Sequence, residues 1–138
     1  MHTTNYINTF IMVAEDTNVG CGTKPTGRAG NPTIAELQYK LLVNNPYTLT
    51  SDDVLFQVYA ERKDLVISEY KQERELFFSK GKPCFRASPL TKNYGFGVHA
   101  DHNGKLAIYG METIEYENLL KDPKITKIRA MSNSRKVK

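Results

Sequence analysis

The stretch FGVHADHNGKLAIY, residues 96–109, decides the fold. Two runs of alternating character flank Asp101-His102-Asn103-Gly104, which marks a β-hairpin. Two registers compete. A two-residue Asn103-Gly104 turn pairs His102 with Lys105, Val98 with Tyr109 and His99 with Ile108, and so mixes polar and apolar side chains on each face. A three-residue loop with Gly104 left-handed pairs Asp101 with Lys105, Ala100 with Leu106 and Val98 with Ile108. Phe96, Val98, Ala100, Leu106 and Ile108 then share one face, and Gly97, His99, Asp101, Lys105, Ala107 and Tyr109 the other. Register follows burial, which selects the second arrangement.

Upstream of the hairpin, Tyr6–Ala14 carries apolar side chains on both faces and reads as an interior strand. Asp16–Pro32 holds four glycines and two prolines, which cannot sustain a helix. Thr33 and Glu36 have capping-box spacing, and Ile34, Leu37, Leu41 and Leu42 share a helical face up to Asn44-Asn45-Pro46. Thr50 and Asp53 repeat the box before a helix with Val54, Leu55, Val58 and Tyr59 buried. A third helix is expected over Ser68–Lys80, closed by Gly81 and Pro83. Strands are expected at Cys84–Ser88, Gly95–Asp101 and Lys105–Tyr109, then a helix over Thr113–Lys121 and a last strand over Ile125–Met131.

Helices grouped together and followed by hairpin-linked strands indicate an α+β fold. The expectation is a single domain over 1–131, with a mainly antiparallel sheet of four to five strands packed by three to four helices, and a basic, frayed tail over 132–138. A chain of 138 residues is long enough to bury one real core. No run of about 18 apolar residues exists, so no membrane span is expected. The N-terminus lacks the basic and apolar regions of a secretory signal, which leaves a cytoplasmic location. Cys21 and Cys84 are far apart and make neither a disulfide framework nor a zinc spacing. No cofactor is implied, and oligomeric state is not encoded in any motif.

Three strings stand out: Pro46-Tyr47-Thr48-Leu49-Thr50-Ser51-Asp52-Asp53-Val54-Leu55-Phe56, the run Phe77–Leu90 reading FFSKGKPCFRASPL, and Tyr94-Gly95-Phe96-Gly97-Val98-His99. Together they make the chain resemble, over nearly its whole length, a family of small bacterial proteins known only as a domain of unknown function. The resemblance implies a self-contained cytosolic domain and offers no activity, cofactor or catalytic residue to carry over.

Chemistry concentrates in Phe77–Tyr109, where Lys80, Lys82, Arg86 and Lys92 precede the first acid, Asp101. If Cys84–Ser88 is a strand, Arg86 and Ser88 share a face with Cys84. Arg86, Ser88, Tyr94 and His99, with Lys80 and Lys92 beside them, are then the candidate site for a small anionic ligand or partner surface. Arg86 would supply a charge-assisted donor, Ser88 a hydroxyl, Tyr94 a ring and His99 a second donor.

An enzyme of hydrolase or transferase type, built on Cys84 or His99, is the competing class, although no orienting residue or oxyanion hole is marked. Nucleic-acid binding is a third class, with Lys127, Arg129, Arg135, Lys136 and Lys138 as a second basic cluster; the net charge of +4 is modest for it. His2, His99 and His102 do not converge on a metal by spacing. Gly22–Ala29 has the outer glycine spacing of a P-loop, but Arg28 and Ala29 stand where lysine and a hydroxyl are needed, so a flexible surface loop is the better account. Asp52 and Asp53 resemble a carboxylate pair that helix-start chemistry explains.

Overall fold

The hairpin forms in the register that burial selects. In the computed structural model, which describes residues 2–27, 30 and 32–134, β2 (Phe96–Ala100) pairs antiparallel with β3 (Leu106–Gly110), Val98 opposite Ile108 and Ala100 opposite Leu106. Gly104 sits at φ +76°, where a side chain would be strained. The Asp101 carboxylate ties the turn by accepting from the amides of Asn103 and Lys105, each at 2.9 Å.

β1 (Thr9–Met12) is the interior strand that its two-sided apolar pattern demands. It pairs antiparallel with β2 and parallel with β4 (Thr126–Arg129), giving the order β3-β2-β1-β4. The four-stranded sheet is therefore mixed, with one parallel pair, because α5 (Ile114–Lys121) carries the chain over one face to the far edge.

The two faces are closed differently. Phe10, Met12 and Tyr109 meet α5. The rings of Phe10 and Tyr116 interlock edge-on with centroids 4.9 Å apart, and the Tyr116 hydroxyl accepts from the amide of Val13 at 3.0 Å. Gly97 makes that interlock possible, since a Cβ there would lie 2.4 Å from the Phe10 ring and 2.7 Å from that of Tyr116. On the other face Ile11, Phe96, Val98, Ala100 and Leu106 pack under Leu37 and Leu42 of α1 (Ile34–Asn44), Val54 and Val58 of α2 (Ser51–Arg62), Phe85, and Leu90 of α4 (Pro89–Lys92). Outside α2, Phe56, Ala60 and Phe78 form a satellite cluster with Tyr70 and Phe77 of α3 (Tyr70–Phe77).

Thr33, Thr50 and Thr113 cap α1, α2 and α5, and the Thr50–Asp53 box closes in both directions. Asp52 also accepts from the amide and hydroxyl of Thr4 and from the hydroxyl of Thr3, which docks the N-terminal segment onto α2.

Three expectations are corrected. Cys84–Ser88 is no strand: Phe85–Ala87 is a 3₁₀ turn, and Ser88 then caps α4, with Pro89 in its first turn. Prolines at 83 and 89 have no amide to donate to a ladder, and Phe85 is drawn into the core. That extra helix brings the α-helices among the described residues to five, one more than expected. The third helix is shorter than Ser68–Lys80, entered through a 3₁₀ turn over Ile67–Glu69. The glycine-rich loop is not simply a flexible surface segment: the Gly22 amide donates to Glu112, the Thr23 amide donates to the Tyr94 carbonyl, and Pro25 is buried. Arg28 and Ala29 lie outside the described residues, as do Arg135, Lys136 and Lys138 of the tail, while the amides of Asn133 and Ser134 donate to Asp16.

Candidate functional site

A cleft of about 580 Å³ opens in the helical layer where the irregular chain of residues 82–89 closes against α1 and α2. Its walls are Ile34 of α1, Leu55, Val58 and Tyr59 of α2, Phe77 of α3, and Pro83, Ala87 and Pro89. Two prolines and a 3₁₀ turn cannot press a continuous helical stripe into the groove between α1 and α2, and the space is what remains. Ile34 stays 42% exposed because of it. The volume lies within the usual range for small-molecule pockets.

The polar groups of the cleft are few and ordered by depth. At the floor, Gln38 is 2% and Ser88 5% exposed. The Ser88 hydroxyl donates to Gln38 Oε1 at 2.6 Å and accepts from the Leu90 amide at 3.1 Å. On the wall, Cys84 Sγ lies 3.2 Å from the Tyr6 hydroxyl. Burial, followed by that contact, pushes the Tyr6 phenol up to about 12. At the mouth stand Arg62, Lys63 and Lys82, the last with Nζ 4.4 Å from the centroid of the Phe77 ring. No aspartate or glutamate lines the cleft. Among the described residues none of the three cations at the mouth has a carboxylate within ion-pair distance, whereas Arg74 pairs with Asp53 at 3.0 Å. A second hollow of about 510 Å³ shares Ile34, Arg62 and Pro89 and continues to Thr33, Asn93 and Tyr94.

A separate polar cluster lies across the sheet. The Tyr47 hydroxyl is 2.8 Å from both His99 Nδ1 and the Tyr109 hydroxyl. Tyr47 holds φ +55°, an uncommon backbone for a bulky residue, fixed by its amide donating to the Leu106 carbonyl at 2.7 Å. Burial, then the Tyr109 hydrogen bond, raises the Tyr47 phenol well above its ordinary value. Burial also lowers the pKa of His99, against the attraction of Asp101 and Asp122. Neither the cleft nor the second hollow is lined by Tyr47, His99 or Tyr109, whereas the cleft is lined by Cys84.

The residues singled out from sequence are therefore dispersed. Ser88 lines the cleft floor and Tyr94 the adjoining hollow. Lys92 ends α4, and Lys80 is an exposed residue beyond α3. Arg86 lies at the sheet edge, its Nε donating to the Arg129 carbonyl at 2.8 Å. His99 sits on the α5 face, in register with Phe10. The common wall expected of Arg86, Ser88 and His99 does not exist, since it required residues 84–88 to be a strand beside β2. Among the described residues no group of three His, Cys, Asp or Glu could hold a metal, and no helix is long and apolar enough to cross a membrane.

Gln38, Arg62, Lys63 and Tyr47 escaped the sequence reading. A signal existed for Gln38, which interrupts the apolar stripe between Ile34 and Leu42 at helical spacing. Arg62 and Lys63 look like ordinary charges favourable to a helix C-terminus. Nothing local announces a left-handed tyrosine.

Residues 1–136 match a family of unknown function (DUF6157), and the chain belongs to that family. Neither the curated proteins nor the solved structures contain a match to it.

Proposed function

We propose that this domain binds an amphiphilic anion, with an apolar body in the cleft between α1, α2 and residues 82–89 and an anionic head among Arg62, Lys63 and Lys82. The observation that carries the proposal is the pairing of a mainly apolar cleft of about 580 Å³ with three mouth cations and no lining carboxylate. Apolar walls supply most of the affinity by removing ligand surface from water. The cations select charge sign, and a cationic or neutral amphiphile gains nothing from them.

Decanoate, decyl phosphate, decanol and decylamine form the test set. Both anions are expected to raise the melting temperature in a saturable way, because a ligand preferring the native state stabilises it by mass action. The stronger of the two identifies the head group as carboxylate or phosphate. Decylamine is expected to give no such rise. Decanoate is also expected to slow alkylation of Cys84, which lines the cleft, and to leave the exposed Cys21 reacting as before. Equal protection of both thiols, or equal shifts with decanoate and decylamine, would overturn the proposal.

A further inference from the structure

We infer that the natural ligand carries an oxygen acceptor of carbonyl type inside its apolar body, held by the side-chain amide of Gln38. The inference rests on the amphiphilic-anion reading and narrows it to acyl or oxo acids rather than plain aliphatic anions. Gln38 is 2% exposed and lines the cleft. The Ser88 oxygen already accepts from the Leu90 amide while capping α4, and its hydroxyl proton goes to Gln38 Oε1 at 2.6 Å. Ser88 thereby orients the amide, with its carbonyl turned toward the capped helix end. The two N–H donors of Gln38 Nε2 have no protein acceptor among the described residues, and they are not sealed in: the nitrogen reaches the cleft that Gln38 lines.

A ligand that fills the cleft shuts these donors off from water, and a donor buried in that way without a partner is costly. The helical spacing Ile34, Gln38, Leu42 gives no packing reason for an amide, since a leucine or methionine would continue the stripe. The missing partner is therefore an acceptor that enters with the ligand. It is neutral rather than anionic: the cations stand at the mouth, and a carboxylate at the floor would be buried beside an uncharged amide without a counter-charge. A ketone, ester or amide carbonyl fits this site.

The test uses the full-length wild-type protein and calorimetric titration with decanoate and a set of oxodecanoates in which the ketone is stepped along the chain. One or two isomers are expected to bind about tenfold more tightly than decanoate, the increment of one buried hydrogen bond. In Gln38→Met the preference for the favoured isomer over decanoate should vanish. The comparison of isomers with decanoate in the wild-type protein keeps the test open if the methionine variant does not fold. Decanoate binding with no isomer exceeding it would overturn this inference and leave the amphiphilic-anion reading standing, with water as the partner of Gln38. Failure of decanoate and all isomers to bind would overturn both.

Discussion

The two sides of the sheet solve the same packing problem with different results. The α5 side is closed by one helix whose Tyr116 ring locks against Phe10 in the gap that Gly97 leaves, and the interlock has no room for even a Cβ at residue 97. The opposite side is closed by α1, α2 and an irregular connection through residues 82–89, and there a cleft remains. Charge divides in the same way. Asp101 and Asp122 act on His99 on the α5 side, whereas the cleft mouth has Arg62, Lys63 and Lys82 without an acid. Regular secondary structure fills space because its side chains repeat, and a proline-bracketed turn does not. Room for a ligand is expected where the chain is least regular.

The largest effect that tests this contrast is Phe10→Ala. It empties the centre of the filled side and should cost about 3–5 kcal/mol, read from the urea midpoint. Molecules that remain folded should still bind decanoate with unchanged affinity, because the cleft lies beyond the sheet. A matched loss of affinity would show that the two sides are one cooperative site. Leu55→Trp is the complementary experiment. Leu55 faces the cleft, so the indole should occupy existing space with a stability change under about 1.5 kcal/mol. Decanoate affinity should fall at least about tenfold, ~1.4 kcal/mol. A large loss of stability with affinity intact would mean that the ligand lies elsewhere.

The same contrast explains what the sequence made legible. The hairpin register, the interior position of β1 and the capped starts of α1 and α2 could be read because each rests on a local rule: alternation, two-sided apolarity, or Thr followed three residues later by an acid. The cleft escaped because its residues come from α1, α2, α3 and the 82–89 connection, and only their packing brings them together. Reading Cys84–Ser88 as a strand put Arg86 and His99 on one wall, although local spacing equally allowed a 3₁₀ turn and a Ser88-Pro89 helix start. Ser88 was chosen for its hydroxyl and does lie in the cleft, but there it acts as the cap and orienting donor of Gln38.

A smaller effect is expected at the polar cluster on the α5 face. Tyr47→Phe keeps the left-handed backbone and the ring while removing the hydroxyl shared by His99 and Tyr109. A loss of about 1 kcal/mol is expected, since both partners lie near the surface and regain water. Decanoate binding should not change. Loss of binding in this variant would move the functional centre across the sheet to His99.

The smallest effect separates the two sides by pH. Burial holds the pKa of His99 below its ordinary value of 6.5, and the pull of Asp101 and Asp122 does not restore it. The unfolded chain therefore takes up this proton at higher pH than the folded one. The stability that neutral His99 contributes is complete above about 6.5 and is lost as pH falls from there toward the folded value. Asp53 behaves in a lower window. Burial raises its pKa, but the Thr50 amide and the Arg74 guanidinium outweigh that and hold it below 3.8, so its contribution is present above 3.8 and disappears as pH falls through the folded value. Urea midpoints measured from neutral to acid pH should thus decline in two stages. His99→Gln should abolish the first stage and spare the second, and Asp53→Asn should spare the first and shrink the second, which Asp16, Asp101 and Glu112 share. A first stage that persists in His99→Gln would mean that another group titrates there, and the assignment of that proton to the filled side of the sheet would be wrong.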